Sequence, residues 1–467
     1  MAETSFDVII LGGGTGGYVA AIRAAQLGLK TALVDAGKVG GTCLHRGCIP
    51  TKALLHTAEL LHTFENREEF GLTATKVGLD YPKAMANKDK VVTQLWKGVE
   101  GLLRKNKVTV VAGWGRLLDA SHVEVTSDKE KVTLTAQDIV IASGSVPREL
   151  PDLPFDGKQI LSSDHILEKT DIPKSIIILG GGAIGVEFAS MYNDFGADVT
   201  LVEMLPHILP QDDEQVAGEL AKMLARRGIK IMANTKFDLT SVKKSAKGVE
   251  AQVTSPDGKS EMVTGEVLLV AVGRKAITED IGLEKAGVKV ERGFITVDSH
   301  YRTNVPHVYA IGDVIGGYLL AHVASHEGMI AVEAVAGKNP ELLDPTRVPR
   351  VTYSRPEVAS VGLTAKEAEE RGFEVKVGTF PFRANGKSLI LGEAEGIVKL
   401  VADKKTDALL GAHIVGPHAS DYINEMALAR FLEATAWEVA ESVHAHPTVS
   451  EVLHEAALAV DGHAIHI

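Results

Sequence analysis

The sequence predicts an α/β protein with two doubly wound, parallel-sheet domains and a C-terminal α+β region. Two observations predict it. The first is an internal repeat: "FDVIILGGGTGGYVAAIRAAQLGLKTALVDAG" from Phe6 and "KSIIILGGGAIGVEFASMYNDFGADVTLVEM" from Lys174 follow one pattern. The second is the last region, from "RVPRVTYSRPEVASVGLT" to Ile467, where strand-like and helix-like stretches alternate. The 467-residue length leaves room for about three domains.

Each repeat opens on a β-branched strand, turns at GxGxxG, continues as an Ala-rich helix and returns in a second strand that closes on an acid. The glycines are Gly12, Gly14 and Gly17, then Gly180, Gly182 and Gly185; the acids are Asp35 and Glu203. In both copies 23 positions separate the first glycine from the acid. A lone GxGxxG is often only a glycine-rich turn, but here the full context of a dinucleotide site occurs twice. One glycine makes the turn, one lets backbone approach a pyrophosphate, and one lets helix pack on strand. The helix N-terminal N–H groups then face the anion, and the acid accepts from a ribose. At Glu203 a ribose 2′-phosphate would meet a like charge. At about 4 Å and an effective dielectric near 20 that costs about 4 kcal/mol, close to a thousandfold in affinity. Met204, Leu205 and Pro206 offer no arginine to compensate, so the second site is expected to take NAD rather than NADP. Asp35 does the same work at the first site, but FAD and NAD share that ribose, and the acid leaves both open.

Asp35 closes a strand, Ala36–Thr42 reads as a loop, and Cys48–Phe64 reads as a helix. Cys43 and Cys48 are the only two cysteines. They are too few for a secreted disulfide framework, and no His or Cys cluster nearby completes a zinc site. A redox pair and two unrelated buried thiols both remain open. In an ideal helix the two would stand about 7.5 Å apart along the axis, beyond the usual disulfide Cα–Cα range of roughly 4.4–6.8 Å. A bridge therefore needs a distorted turn. Gly47 permits one, and Pro50 fits a first helical turn. Thiols at a helix N-terminus are expected to have a lowered pKa.

Further along, Val146–Phe155 reads as a Pro-rich linker, Val267–Thr278 as one buried strand, and Thr303–Asp313 as a strand closing on Gly312 and Asp313. The net charge of −12 argues against nucleic acid and suits solubility or a basic protein partner. No apolar run reaches transmembrane length. The start, "MAETSFDVII", carries Glu3 and Asp7 without a basic n-region, so no signal peptide and a cytoplasmic protein are expected. Exchange at thiols needs a base, and histidine is best poised to act as one. Composition cannot choose among 17 histidines. His446 is set apart by the following Pro447 and by Glu451 five positions on. Taken alone, "TVSE" (Thr448–Glu451) reads as a capping box opening the last helix, and Lys52 and Glu187 read as helix-surface charges.

The motifs "GGTCLHRGCIPTK", "GGGAIGVEFAS", "VAVGRK", "VYAIGD", "LLAHVASHEG", "PEVASVGLT", "LGAHIVGPHASD" and "HAHPTVSE" carry a resemblance over nearly the whole chain. Together they resemble the pyridine nucleotide–disulfide oxidoreductases, and within them the flavoprotein branch of the 2-oxo acid dehydrogenase and glycine cleavage complexes. The resemblance implies two Rossmann-like dinucleotide-binding domains plus a C-terminal α+β dimerisation domain. It divides the chain into an FAD-binding part (1–145), an NAD-binding domain (146–274), a second FAD-binding or central part (275–345) and an interface domain (346–467). It implies FAD, NAD, a homodimer, dihydrolipoamide as substrate, and a lipoyl-bearing acyltransferase or the glycine cleavage H-protein as partner. No metal, nucleic acid or membrane is implied.

By the same resemblance, Cys43 exchanges with substrate and Cys48 stands against the flavin. Lys52 and Glu187 form an ion pair near the flavin's reactive edge. Asp313 holds FAD through its ribitol, and Thr42, Ser143, Gly144, Ala321 and Gly273 fall in cofactor-lining stretches. His446 is the base and Glu451 its orienting carboxylate, and the base reaches the disulfide of the other subunit. The chain departs from the family at His45 and Arg46, where an Asn and a small apolar residue are usual. Ser143 replaces a Thr, and Asp421 and Tyr422 replace a Glu-Leu pair. Glutathione-reductase-like relatives would want basic residues instead of Glu203, mercuric reductases an extra C-terminal cysteine pair, and soluble transhydrogenases no cysteine pair. A flavin-bearing assembly subunit that mainly docks onto an acyltransferase core is the alternative from another class.

Overall fold

Val8, Ile9 and Ile10 are fully buried in the strand Ser5–Leu11 (β1), which is apolar on both faces and so forms inside a parallel sheet. Each such side chain contributes roughly 1.5–3 kcal/mol by leaving water. The helix Thr15–Gln26 (α1) follows, and the strand Thr31–Asp35 (β2) returns parallel to β1, with Val8 opposite Thr31 and Leu11 opposite Val34. Two helices come next, Gly41–Arg46 (α2) and Cys48–Glu65 (α3), so the segment read as loop ends two residues early. The computed structural model describes residues 4–467; Glu3 of the N-terminal reading lies outside the described residues. The chain divides into two units.

One unit collects the chain through Ala53, Lys83–Arg148 and Arg274–Leu343. Among the described residues its sheet has seven strands. Their order is Thr109–Ala112, β2, β1, Lys131–Ile141, His122–Thr126 and Trp114–Leu117, with Val308–Ala310 added on Lys131–Ile141. Lys131–Ile141 runs antiparallel to His122–Thr126 over its first half, and parallel to β1 and Val308–Ala310 over its second. The parallel strands therefore end on one edge, and the turns that follow them gather there, at the carboxyl edge where open α/β sheets bind ligands. The helix Ala321–Val335 packs tightly on α1 through small residues: a Cβ on Gly16 would come 2.9 Å from the Ala324 carbonyl oxygen, and one on Gly328 2.8 Å from that of Gly16.

The other unit collects Leu54–Pro82, Glu149–Gly273 and Asp344–Ile467. It repeats the motif as the strand Ser175–Leu179 (β3), the helix Ala183–Asp194 (α4) and the strand Asp198–Val202 (β4). The parallel sheet runs Lys230–Met232, β4, β3, Val267–Val270, Ile160–Leu161. A five-stranded antiparallel sheet follows, in the order Arg350–Thr352, Glu357–Gly362, Leu409–Gly416, Ile397–Asp403, Val375–Pro381. Its core packs Phe380, Phe382 and Ile414 against Met426, Val439 and Leu453 from the helices Ala419–Phe431 (α5), Ala436–Glu441 (α6) and Glu451–Val460 (α7). A buried ion pair ties this sheet to the nucleotide-binding half: Lys399 Nζ lies 2.7 Å from Asp213, which also caps the helix Glu214–Arg226 through the Gln215 and Val216 amides.

Three readings of the sequence need correction. Thr303–Asp313 is strand only over Val308–Ala310, and Gly312 and Asp313 open a 3-10 turn. Val267–Thr278 is not one strand: Val267–Val270 belongs to the parallel sheet, and Arg274–Ala276 pairs antiparallel with Ser145–Pro147. Gly273, at φ +111°, separates them. The linker read over Val146–Phe155 thus begins as a strand. A continuous apolar run does not reveal that its two halves pair with different partners. Among the described residues no helix is long and apolar enough to cross a membrane.

Candidate active site

The first glycine turn shows what each glycine does. Gly12 has φ +114°, and a Cβ there would sit 2.2 Å from the Ala142 carbonyl oxygen. A Cβ on Gly17 would sit 1.8 Å from the Gly12 carbonyl oxygen, so α1 packs on β1 only with glycine present. Gly14 faces open space and caps α1 with no side-chain bond, which leaves the helix N–H groups directed at the opening. Asp35, at the end of β2, accepts the Gly13 amide at 2.6 Å and the Gly37 amide at 2.7 Å. This cradle fits a pyrophosphate with a ribose beside it. Around the same edge, Ser143 Oγ donates to the Ile277 carbonyl at 2.8 Å, and Gly144 adopts φ +74°. Asp313 accepts from Ser145 Oγ, and Arg274 donates to Ser145 Oγ at 2.7 Å. Ala321 opens its helix, and Thr42 Oγ1 lies 3.5 Å from an Arg274 nitrogen.

Cys43 and Cys48 flank a break between helices. Gly47, at φ −143° and ψ −108°, ends α2, Cys48 is the first residue of α3, and Pro50 stands in its first turn. Both are thiols and both are partly buried. A hydrogen bond toward Cys48, then burial, push the Cys43 thiol well above its usual range; the Thr15 hydroxyl and the Lys52 ammonium oppose them. The expected lowering therefore fails for Cys43. It lies inside the short α2, and only Cys48 occupies a helix start, where unpaired N–H groups favour negative charge. Lys52 lies one turn into α3. His45, between the thiols, is tied down by the Val39 carbonyl at 2.9 Å and by the edge of Trp96, while Arg46 is exposed.

The second cradle repeats the first. Gly180 has φ +109°, a Cβ on Gly185 would lie 1.9 Å from the Gly180 carbonyl oxygen, and Gly182 faces open space and caps α4 without a side-chain bond. Glu203, buried, accepts the Gly181 amide at 2.6 Å and the Leu205 amide at 2.7 Å. This cradle also fits a dinucleotide, with the carboxylate where a 2′-phosphate would have to lie. Glu187 is not a surface charge: it is 5% exposed in α4 and accepts the Tyr353 amide at 3.0 Å.

In the C-terminal part of the same unit, His446 is 79% exposed, and its Nδ1 lies 2.8 Å from Glu451 Oε1. The Glu451 Oε2 atom accepts the Thr448 amide at 2.7 Å. The capping box expected here is only half formed: Ser450 is the N-cap of α7, and the Thr448 hydroxyl donates to the Ala445 carbonyl. Burial pushes the Glu451 carboxyl up, but the Thr448 amide and His446 together hold it below its usual range. A carboxylate on Nδ1 fixes the tautomer that leaves Nε2 free to take a proton.

Residues 6–328 match the family described as pyridine nucleotide-disulphide oxidoreductase, and residues 348–457 match its dimerisation domain. The chain belongs to the pyridine nucleotide-disulphide oxidoreductase family. This oxidoreductase is 49% identical over 472 residues to the dihydrolipoyl dehydrogenase of Bacillus subtilis, covering 99% of each chain. It is 48% identical over 464 residues to that of Zymomonas mobilis, again with 99% of each covered. Among solved structures, LpdA from Mycobacterium tuberculosis superposes with a TM-score of 0.89 at 28% identity, over 97% of this chain and 99% of that one. The flavoprotein disulfide reductase RclA from Escherichia coli does so with 0.86 at 26%, over 97% and 99%.

In this family member the sequence pointed to the glycine turns, both acids, the thiols and His446. It did not point to Thr15, Ser145, Arg274 or Glu327. Thr15 follows Gly14, the second cradle glycine and the N-cap of α1, and its position there is the one signal available. Ser145, Arg274 and Asp313 lie far apart along the chain and meet only through strand pairing. Glu327, 6% exposed, accepts the Gly312 amide at 2.7 Å beside Asp313.

Proposed function

We propose that this chain oxidises dihydrolipoamide to lipoamide at the Cys43–Cys48 pair and passes the electrons through FAD to NAD+. The observation that carries the reading is the pair itself: two thiols joined by a hydrogen bond across a helix break, with Thr15 of the first glycine cradle on Cys43. The full-length identity to relatives named dihydrolipoyl dehydrogenase supports the choice of substrate.

FAD in the first cradle supplies two-electron chemistry between a dithiol and NAD+ held in the second. Gly12, Gly14, Gly17, Asp35, Thr42, Ser143, Gly144, Asp313 and Ala321 would hold the former. Gly180, Gly182, Gly185, Glu203 and Gly273 would hold the latter. At the oxidised pair, His446 Nε2 takes a proton from one substrate thiol. The thiolate attacks Cys43 Sγ, the Cys43–Cys48 bond breaks, and Cys48 leaves as thiolate. The second substrate thiol then gives its proton to the departing Cys43 sulfur as it attacks the first substrate sulfur and closes the ring. Cys43 leaves as the thiol, Cys48 as the thiolate and His446 keeps the first proton, so one electron pair and two protons have moved from substrate to the protein. Lys52 holds a positive charge near the pair, and Glu187 is the proposed counter-charge.

The dimerisation domain is present, and His446 of one protomer is proposed to serve the cysteine pair of the other. A lipoyl group on an acyltransferase or on the glycine cleavage H-protein, in the cytoplasm, is the proposed physiological donor. The test is Cys43→Ser. The variant is expected to retain FAD and to lose dihydrolipoamide turnover by more than about a thousandfold. Anaerobic titration of the unmodified protein with dihydrolipoamide is expected to turn it from yellow to red by thiolate–flavin charge transfer. Full turnover by the variant, or no colour change, would refute the proposal.

A further inference from the structure

We infer that His444 is a fixed imidazolium that positions the loop carrying His446. It is a positioning residue two places before the proposed base, and the inference rests on the reaction proposed above. The two histidines differ sharply: the His444 side chain is 8% exposed and that of His446 is 79% exposed. His444 Nδ1 lies 2.9 Å from the Ser442 carbonyl oxygen, and its Nε2 lies 2.9 Å from Glu425 Oε1 on α5. A carbonyl and an ionised carboxylate only accept. A neutral ring has one donor and would set a lone pair against one of these oxygens, so the geometry is satisfied only when both nitrogens carry protons. From α7, Glu451 and His454 also face this ring, the His454 ring at 6.0 Å.

The electrostatics agree. The Glu425 hydrogen bond pushes His444 above the usual imidazole range, burial opposes it, and Glu451 adds to the rise. In return, the His444 charge is among the influences that hold the Glu451 carboxyl down. The bond to Glu425 also anchors the loop between α6 and α7 to α5. Exposed His446 is thereby carried on a loop anchored through His444.

Neutron diffraction from deuterated holoenzyme crystals at a pD of about 8 tests the protonation directly. Deuterons are expected on both nitrogens of His444 and none on Glu425; a single deuteron on His444, or a deuterated Glu425, overturns the inference. This readout does not depend on substrate, so it separates the inference from failure of the proposed reaction. In solution, His444→Gln leaves Glu425 unpaired beside the dyad. The acidic limb of dihydrolipoamide oxidation is then expected to move to higher pH by about half a unit or more, and kcat to fall several-fold. NADH oxidation by an artificial acceptor should be unchanged. His444→Lys, which restores a cation, is expected to move the limb back. An unshifted limb in His444→Gln overturns the positioning role.

Discussion

The Glu451 carboxylate lies 2.8 Å from Nδ1 of His446, and its other oxygen accepts the Thr448 amide at 2.7 Å. One side chain therefore both orients the proposed base and ends the turn before α7. Glu451→Gln keeps an oxygen for the Thr448 amide, but the NH2 group it turns toward His446 Nδ1 cannot accept and no longer stabilises a charged imidazole. It is expected to lower kcat for dihydrolipoamide by about a hundredfold with little change in thermal midpoint. Steady-state kinetics beside a melting curve check this; a comparable loss of stability would mean that the carboxylate's role is chiefly structural.

The two glycine cradles make a paired prediction. A methyl on Gly185 meets the Gly180 carbonyl at 1.9 Å, and one on Gly17 meets the Gly12 carbonyl at 1.8 Å. Either should force helix from strand at a cost of about 1–3 kcal/mol. Gly185→Ala is expected to keep its flavin spectrum and raise KM for NAD+ about tenfold. Gly17→Ala is expected to purify with flavin largely lost. Absorbance of the purified variants and an NAD+ titration separate the two outcomes, and identical behaviour of the variants would count against assigning different cofactors to the cradles.

Glu327 predicts a pH dependence of stability. Burial pushes its carboxyl up to about 7 from an ordinary 4.5; the Gly312 amide opposes this and Asp313 adds to it. The folded protein thus binds the proton more tightly than the unfolded chain. The stabilisation is fully present below about pH 4.5 and is lost as pH rises to about 7. Glu327→Gln, which can still accept the Gly312 amide, removes this dependence. Relative to the unmodified protein it should gain up to about 3 kcal/mol between pH 5 and pH 8. Denaturant unfolding of the holoenzyme at both values measures the gap, and a gap that stays constant would reject the assignment.

What was readable in the sequence was local. The cradles were visible because a glycine needed for φ +114° or for a 1.8 Å approach recurs at fixed spacing inside a strand–helix–strand pattern. Glu451 was read in two ways, as cap and as partner of His446; the two oxygens of one carboxylate serve an amide and an imidazole, so neither reading alone was complete. Glu187 read as a surface charge until α4 placed it in the interior. The split of Val267–Thr278 between two sheets had no local mark beyond Gly273.

By itself the sequence determined two nucleotide cradles, a neighbouring pair of thiols and a histidine with a carboxylate in reach, because periodicity and glycine sterics act over a few residues. Only the tertiary structure decided that half-buried Cys43 lies against Cys48, that Ser145 links Arg274 to Asp313, and that His444 is locked on Glu425. Those outcomes depend on burial and on donors meeting acceptors from distant parts of the chain, and no spacing along a sequence specifies which of them will meet.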